Sequence, residues 1–201
     1  MTQHLDKIDN DIAEKHLLKH PFYLAWTRGE LRREALSDYA RQYYHHVAAF
    51  PTYLSAVHAN CDDPATRKQL LSNLMDEEAG SPNHPELWLK FAEGFGLSDV
   101  DVRNTDKQPE TKRLIDAFRS VCANGSTGEG LAALYAYEGQ IPAICESKID
   151  GLKKHYTASL ILSITAISPF ISTPTANIPR PNAKCSAPTS TITISNPLRL
   201  R

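Results

Sequence analysis

The sequence predicts an all-α protein, and three observations carry that prediction. Up to Tyr156, apolar residues recur at helical spacing between charged ones. Capping residues stand where those periodic runs begin. No alternating strand pattern bounded by hairpin turns interrupts them. The first run predicts a helix near 5–19, and a longer one covers 35–60 with Pro51 inside it. Asp62-Asp63-Pro64 reads as a cap followed by proline at the first helical position, opening a helix near 65–79. Pro85 stands at the head of a helix near 85–95. Over 108–123, Leu114, Ile115, Phe118, Val121 and Cys122 fall at i, i+1, i+4, i+7 and i+8, so one face packs inward. Ser126-Thr127-Gly128-Glu129 fits a capping box ahead of a helix over 129–154 that contains Pro142. Pro51 and Pro142 each remove a backbone hydrogen bond and should kink their helices.

Composition narrows the function. With 201 residues one sizeable core can be buried, so one helical domain over 1–156 is expected. A net charge of −1 leaves no electrostatic footprint for nucleic acid or an anionic membrane. Cys61, Cys122, Cys145 and Cys185 lie far apart with no C-x-x-C spacing, so neither a disulfide framework nor a zinc cluster follows. No apolar run reaches the roughly 18 residues that span a bilayer. The N-terminus, MTQHLDKIDNDIAEKH, is charged throughout and lacks the apolar core of a signal peptide. A cytoplasmic protein is expected.

The chain changes character after Tyr156. Residues 157–201 hold no Asp or Glu and six of the 13 prolines, a composition that supports no packed core. The TASLILSITAISPFI run is nonetheless too apolar for a solvated tail. An out-of-frame translation explains both features. Pairing each codon's third base with the first two of its successor, from Tyr156 onward, permits an acidic segment. That segment carries His, Asp and His at i, i+4 and i+7. Residues 157–201 are therefore expected to be a disordered or non-native tail.

Chemistry concentrates in two places. Glu138 lies on a helix face with Leu131, Leu134, Ile141, Cys145 and Leu152, where a carboxylate must be paired, protonated or bound to metal. Lys148 lies at the edge of that face, either reaching outward or held near Glu138. The second place is Met75-Asp76-Glu77-Glu78-Ala79-Gly80-Ser81-Pro82-Asn83-His84. Glu77 follows Leu70 and Leu74 at i+7 and i+3, and His84 stands at the start of the next helix. One carboxylate and one imidazole delivered this way suit a first-row divalent metal, although acidic helix ends are usually solvated. Glutamates from separate helices with His and Asp ligands on another form the di-metal carboxylate pattern of helical bundles. Tyrosines are plentiful as well, at 23, 39, 43, 44, 53, 135 and 137, and most should be core aromatics. His45, His46 and His58 read as packed or surface residues rather than ligands.

The stretches KHPFYLAWTRGEL, YARQYYHHVAAFPTYLSAVHANCDD, NLMDEEAGSPNHPELW and LYAYEGQIP resemble the haem-oxygenase-like superfamily that holds TenA thiaminases and PqqC. Within it the chain is most similar to the death-domain-associating (CADD-like) branch, whose members act as p-aminobenzoate synthases for folate. The resemblance covers about residues 5–156. It implies an up-down bundle of about seven helices, a homodimer, and a dinuclear iron or iron/manganese site. By position Glu77, His84 and Glu138 match the family's metal ligands, while its remaining His, Asp and His ligands have no counterpart in the chain as written. The resemblance further implies that Tyr23 supplies the product's aromatic ring and a lysine matching Lys148 its amino nitrogen, in an oxidative reaction using dioxygen and a reductant. Tyr39 and Tyr137 match tyrosines lining that site. Lacking the last ligands, the 201-residue chain is expected to bind metal weakly and to be inactive.

Other readings stay open. A cofactor-free PqqC-type oxidase is one, and a TenA-type hydrolase using Cys145 is another. A death-domain-binding protein would need exposed apolar patches but no carboxylate on a buried face. A degraded or misread gene product would have no function of its own.

Overall fold

The computed structural model describes residues 2–156. They form α1 (Thr2–Glu14), a 3₁₀ turn (Leu17–Lys19), α2 (Pro21–Arg28), α3 (Arg33–Ala59), α4 (Pro64–Glu78), α5 (His84–Glu93), α6 (Asp99–Asn104), α7 (Pro109–Asn124), α8 (Thr127–Glu138) and α9 (Ile141–His155). The described residues are thus all-helical, as the periodicity requires. No helix among them is long and apolar enough to cross a membrane. The out-of-frame reading of residues 157–201 lies outside the described residues, as does Cys185.

Helix starts follow local chemistry. Asp63 accepts from the Thr66 amide, Asn83 and Glu86 form a capping box, and Ser126 and Glu129 form another. Proline opens α2, α4, α5, α7 and α9, where its missing N–H interrupts no helical bond.

Three expectations need correction. The run over 5–19 does not stay helical: α1 stops at Glu14. His16 then caps the 3₁₀ turn through Nδ1, and His20, held extended before Pro21, caps α2 by accepting from the Phe22 amide. Helix α2 itself, closed by Gly29 at φ +71°, is not expected from the spacing, and neither is the short α6 behind its Ser98 cap. The single helix over 129–154 is two helices, broken at Gly139 and Gln140. Pro142 therefore sits in the first turn of α9 and kinks nothing. Pro51 does lie inside a helix, and α3 continues through it.

Helix α3 is the central strut, about 40 Å long at 1.5 Å per residue. It packs against α4, α5, α6, α7 and α8, while α2 packs on α9. Two apolar clusters result. One gathers Phe22, Trp26, Leu36, Tyr39, Trp88, Phe91, Ile144 and Leu152 among others, and holds the candidate site. The other joins the far half of α3 to α4, α7 and α8 around Phe50, Tyr53, Leu70, Phe118 and Leu134.

The close approach of α2 and α9 depends on Gly151. A methyl there would stand 2.6 Å from Trp26 Nε1, and nearer still to Cδ1. Trp26 is fully buried and its indole N–H donates to the Lys148 carbonyl at 3.1 Å, so it cannot yield. Gly151→Ala is expected to cost about 1–3 kcal/mol of stability by overpacking, measured by urea denaturation.

Candidate functional site

Lys148 projects from α9 into the first cluster and is only 2% exposed. It neither reaches outward nor pairs with Glu138, and no carboxylate among the described residues forms an ion pair with it. Its Nζ instead lies over four rings: Tyr43 at 4.9 Å from the centroid, Tyr39 and Trp88 at 5.1 Å, and Tyr23 at 5.9 Å. Burial disfavours the charged ammonium and pushes Lys148 down to about 8, with Cys145 opposing the fall. A neutral amine is therefore accessible just above neutrality.

Tyr23 comes from the first turn of α2, buried with its ring edge-on to Phe22. Its hydroxyl meets the Tyr39 hydroxyl at 3.5 Å. Tyr43 and Tyr137 share a short hydroxyl–hydroxyl hydrogen bond between α3 and α8. Burial raises all four phenols above the ordinary tyrosine range, so each remains a neutral O–H. Tyr23, Tyr39, Tyr137 and Lys148 are thus brought into one cluster, with Tyr43 and Trp88 as members that the spacing does not single out. Each does carry a helical signal: Tyr43 is one turn beyond Tyr39, and Trp88 one turn beyond His84.

The candidate carboxylates and imidazole stand at three helix ends. Glu77 in the last turn of α4 meets His84 at the start of α5, with Oε2 2.7 Å from Nδ1. Glu138 ends α8 and is partly buried. Burial holds its carboxyl well above the usual carboxylate range, and the negative charge of Glu77 adds to the effect. Two carboxylates and an imidazole are donors suited to iron or manganese, and a cation between Glu77 and Glu138 would relieve their repulsion. The fit is partial. No three His, Cys, Asp or Glu among the described residues form a metal-holding cluster. A dinuclear carboxylate centre draws on about six side chains.

The remaining candidates behave as packing residues. His45 Nε2 contacts the Thr105 carbonyl at 2.8 Å, and His58 is half-buried on α3. His46, ringed by Phe50, Tyr53, Phe118 and Tyr137, is pushed down to about 3 by burial, so it stays neutral. Cys145 lies on α9, across the break from Glu138. Burial raises its thiol, with Lys148 pulling the other way and Glu138 adding to the rise. That setting does not activate a nucleophile. Of the exposed large apolar side chains among the described residues, Leu71 and Met75 are one helical turn apart on α4.

Comparison with known proteins places the chain in a family. Residues 3–159 match the family model described as TENA/THI-4/PQQC. The chain is 45% identical over 159 residues to a 4-aminobenzoate synthase of Chlamydia pneumoniae, covering 79% of this chain and 71% of that protein. It is 48% identical over 159 residues to a 4-aminobenzoate synthase of Nitrosomonas europaea, covering 75% and 65%. The chain thus spans about two thirds of the length of such relatives. A pyrroloquinoline-quinone synthase of Cronobacter sakazakii is 26% identical over 147 residues, covering 70% of this chain and 57% of that protein. A TenA homologue from Pseudomonas syringae pv. tomato superposes with a TM-score of 0.70 at 15% identity, covering 88% of this chain and 74% of that one. At that identity the likeness speaks for the fold alone.

Proposed function

The chain belongs to the TENA/THI-4/PQQC family, and from that premise we propose that it is a 4-aminobenzoate synthase that consumes itself. In this reading Tyr23 gives the aromatic ring and Lys148 the amino nitrogen, with dioxygen and a reductant as co-reactants. The homodimer is its working form and the cytoplasm its place. The observation that carries the reading is the burial of the Lys148 amine against the Tyr23 ring, 5.9 Å from its centroid.

The residues contribute binding, orientation and proton control. The edge-on Phe22 ring, itself packed on Tyr39, holds the Tyr23 ring, so the encounter with Lys148 is intramolecular and costs no translational entropy. The apolar cluster excludes water, which keeps Tyr23 as a neutral phenol and brings the Lys148 amine within reach of deprotonation near neutral pH. Glu77, His84 and Glu138 would hold the metal at its edge, and the bound metal supplies dioxygen activation. The other ligands would come from the alternative reading frame after Tyr156.

That supply of ligands leads to a specific expectation. The 201-residue chain should bind iron and manganese well below stoichiometry, and the frame-restored chain stoichiometrically, measured by elemental analysis of both. Equal, stoichiometric metal in both would remove the need for the missing ligands. The function itself is tested by making the chain, in both frames, with ring-¹³C tyrosine and supplying metal, reductant and dioxygen. The expected product is ¹³C-labelled 4-aminobenzoate; unlabelled product would show that the ring comes from elsewhere.

A further inference from the structure

Lys148 poses an electrostatic question that its role as a reactant does not answer. An ammonium 2% exposed, with no carboxylate partner among the described residues, lacks the counter-ion that buried charges require. Ring faces are the remaining source of negative potential, and four of them surround Nζ at 4.9–5.9 Å. The rings come from three helices, α2, α3 and α5, and close on the lysine of a fourth. Two of them, Tyr43 and Trp88, have no part as reactants.

We propose that Tyr43 and Trp88 are positioning residues. With Tyr23 and Tyr39 they form an aromatic cage that holds the Lys148 ammonium by its ring faces in place of a counter-ion. The cage thereby sets where Nζ stands and when it becomes a free amine.

The construction of the cage supports this role. Trp88 is 2% exposed and its indole N–H donates to the Ala40 carbonyl at 2.8 Å, which turns its polar edge away and fixes the plane of the ring. Its ring packs against Tyr43 at 4.7 Å, Tyr39 at 5.6 Å and Phe91 at 4.6 Å between centroids. The Tyr43 hydroxyl is tied to Tyr137, and its ring packs against those of Tyr39 and Trp88. The lysine backbone is anchored separately by the Trp26 indole on the Lys148 carbonyl.

Among the described residues the titratable groups facing this volume are Cys145 on the lysine's own helix, Tyr23 from α2, and Tyr39 and Tyr43 from α3. Behind Tyr43 lie Tyr137 and Glu138 of α8 and His46 of α3, which burial keeps neutral. Burial raises the Cys145 thiol and the phenols, so those groups are neutral near pH 7, and Glu138 makes no ion pair with Lys148 among the described residues.

The test grades the ring potential without changing ring shape. The chain is made with lysine labelled at the ε-carbon, and the Lys148 signal, assigned by its loss in Lys148→Met, is followed by NMR against pH. Tryptophan is then replaced biosynthetically by mono-, di- and tri-fluorinated analogues, which drain the ring face in steps. The chain has two tryptophans, Trp26 and Trp88, and only Trp88 faces Nζ. The expected result is a Lys148 midpoint below the surface lysines that falls with each fluorine, by roughly half a unit over the series. In Trp88→Phe, where fluorination touches Trp26 alone, the series should leave the midpoint unmoved. A midpoint indifferent to fluorination in the native chain overturns the proposal, as does an equal fall in Trp88→Phe. The inference builds on Lys148 as the proposed reactant, yet its readout needs no turnover. A graded titration with no labelled 4-aminobenzoate would keep the cage and discard the synthase reading, and the reverse pair of results would do the opposite.

Discussion

Tyr23→Phe is expected to reduce 4-aminobenzoate formation to background while the protein folds as before. The substitution keeps the ring that packs edge-on against Phe22 within the first apolar cluster. It removes one hydroxyl whose partner is the Tyr39 hydroxyl at a long 3.5 Å. A hydrogen bond that long is weak, so the stability cost should stay below about 1 kcal/mol. The chemical cost is total, because a ring without its oxygen cannot follow the same oxidative path. Complementation of a 4-aminobenzoate auxotroph, run in both reading frames, measures the first effect and urea denaturation the second. Growth rescued equally well by the Phe variant would mean that Tyr23 is not consumed.

Trp26→Ala should have the largest effect on stability, about 3–5 kcal/mol by urea denaturation. Trp26 has no exposed surface and touches Phe22, Tyr39 and Tyr156. It fills the contact between α2 and α9 that Gly151 leaves open. Its loss also leaves the Lys148 carbonyl without the indole donor and removes the anchor that sets the height of the lysine over the rings. Trp26→Phe should recover part of the stability, since most of the apolar volume returns, but not that hydrogen bond.

Sequence and structure agree where the local signals are strong. Helices α4, α5 and α7 begin within a residue or two of their expected starts, because proline marks the first turn of each. Helix α2 escapes detection because it is about two turns long and is introduced by imidazoles, His16 and His20, which lie outside the usual capping set. The break between α8 and α9 is hidden because Leu131, Leu134, Cys145 and Leu152 keep a helical period across it. There Pro142 marks a beginning where a kink is the default expectation.

The candidate site divides along the same line. Glu77 and His84 sit on either side of one short loop, so their meeting is legible from spacing alone. Lys148 and its four rings come from positions scattered between 23 and 148, and only tertiary packing could unite them. The family resemblance singles out Tyr23, Tyr39 and Lys148 in that group, whereas Tyr43 and Trp88 emerge from the packing.

Residue-resolved mass spectrometry of the frame-restored chain before and after turnover addresses the sacrificial claim itself. After exposure to metal, reductant and dioxygen, the peptides holding Tyr23 and Lys148 should both show altered side-chain masses, in proportion to the 4-aminobenzoate released. Product accumulating while both peptides keep their native masses would contradict the account.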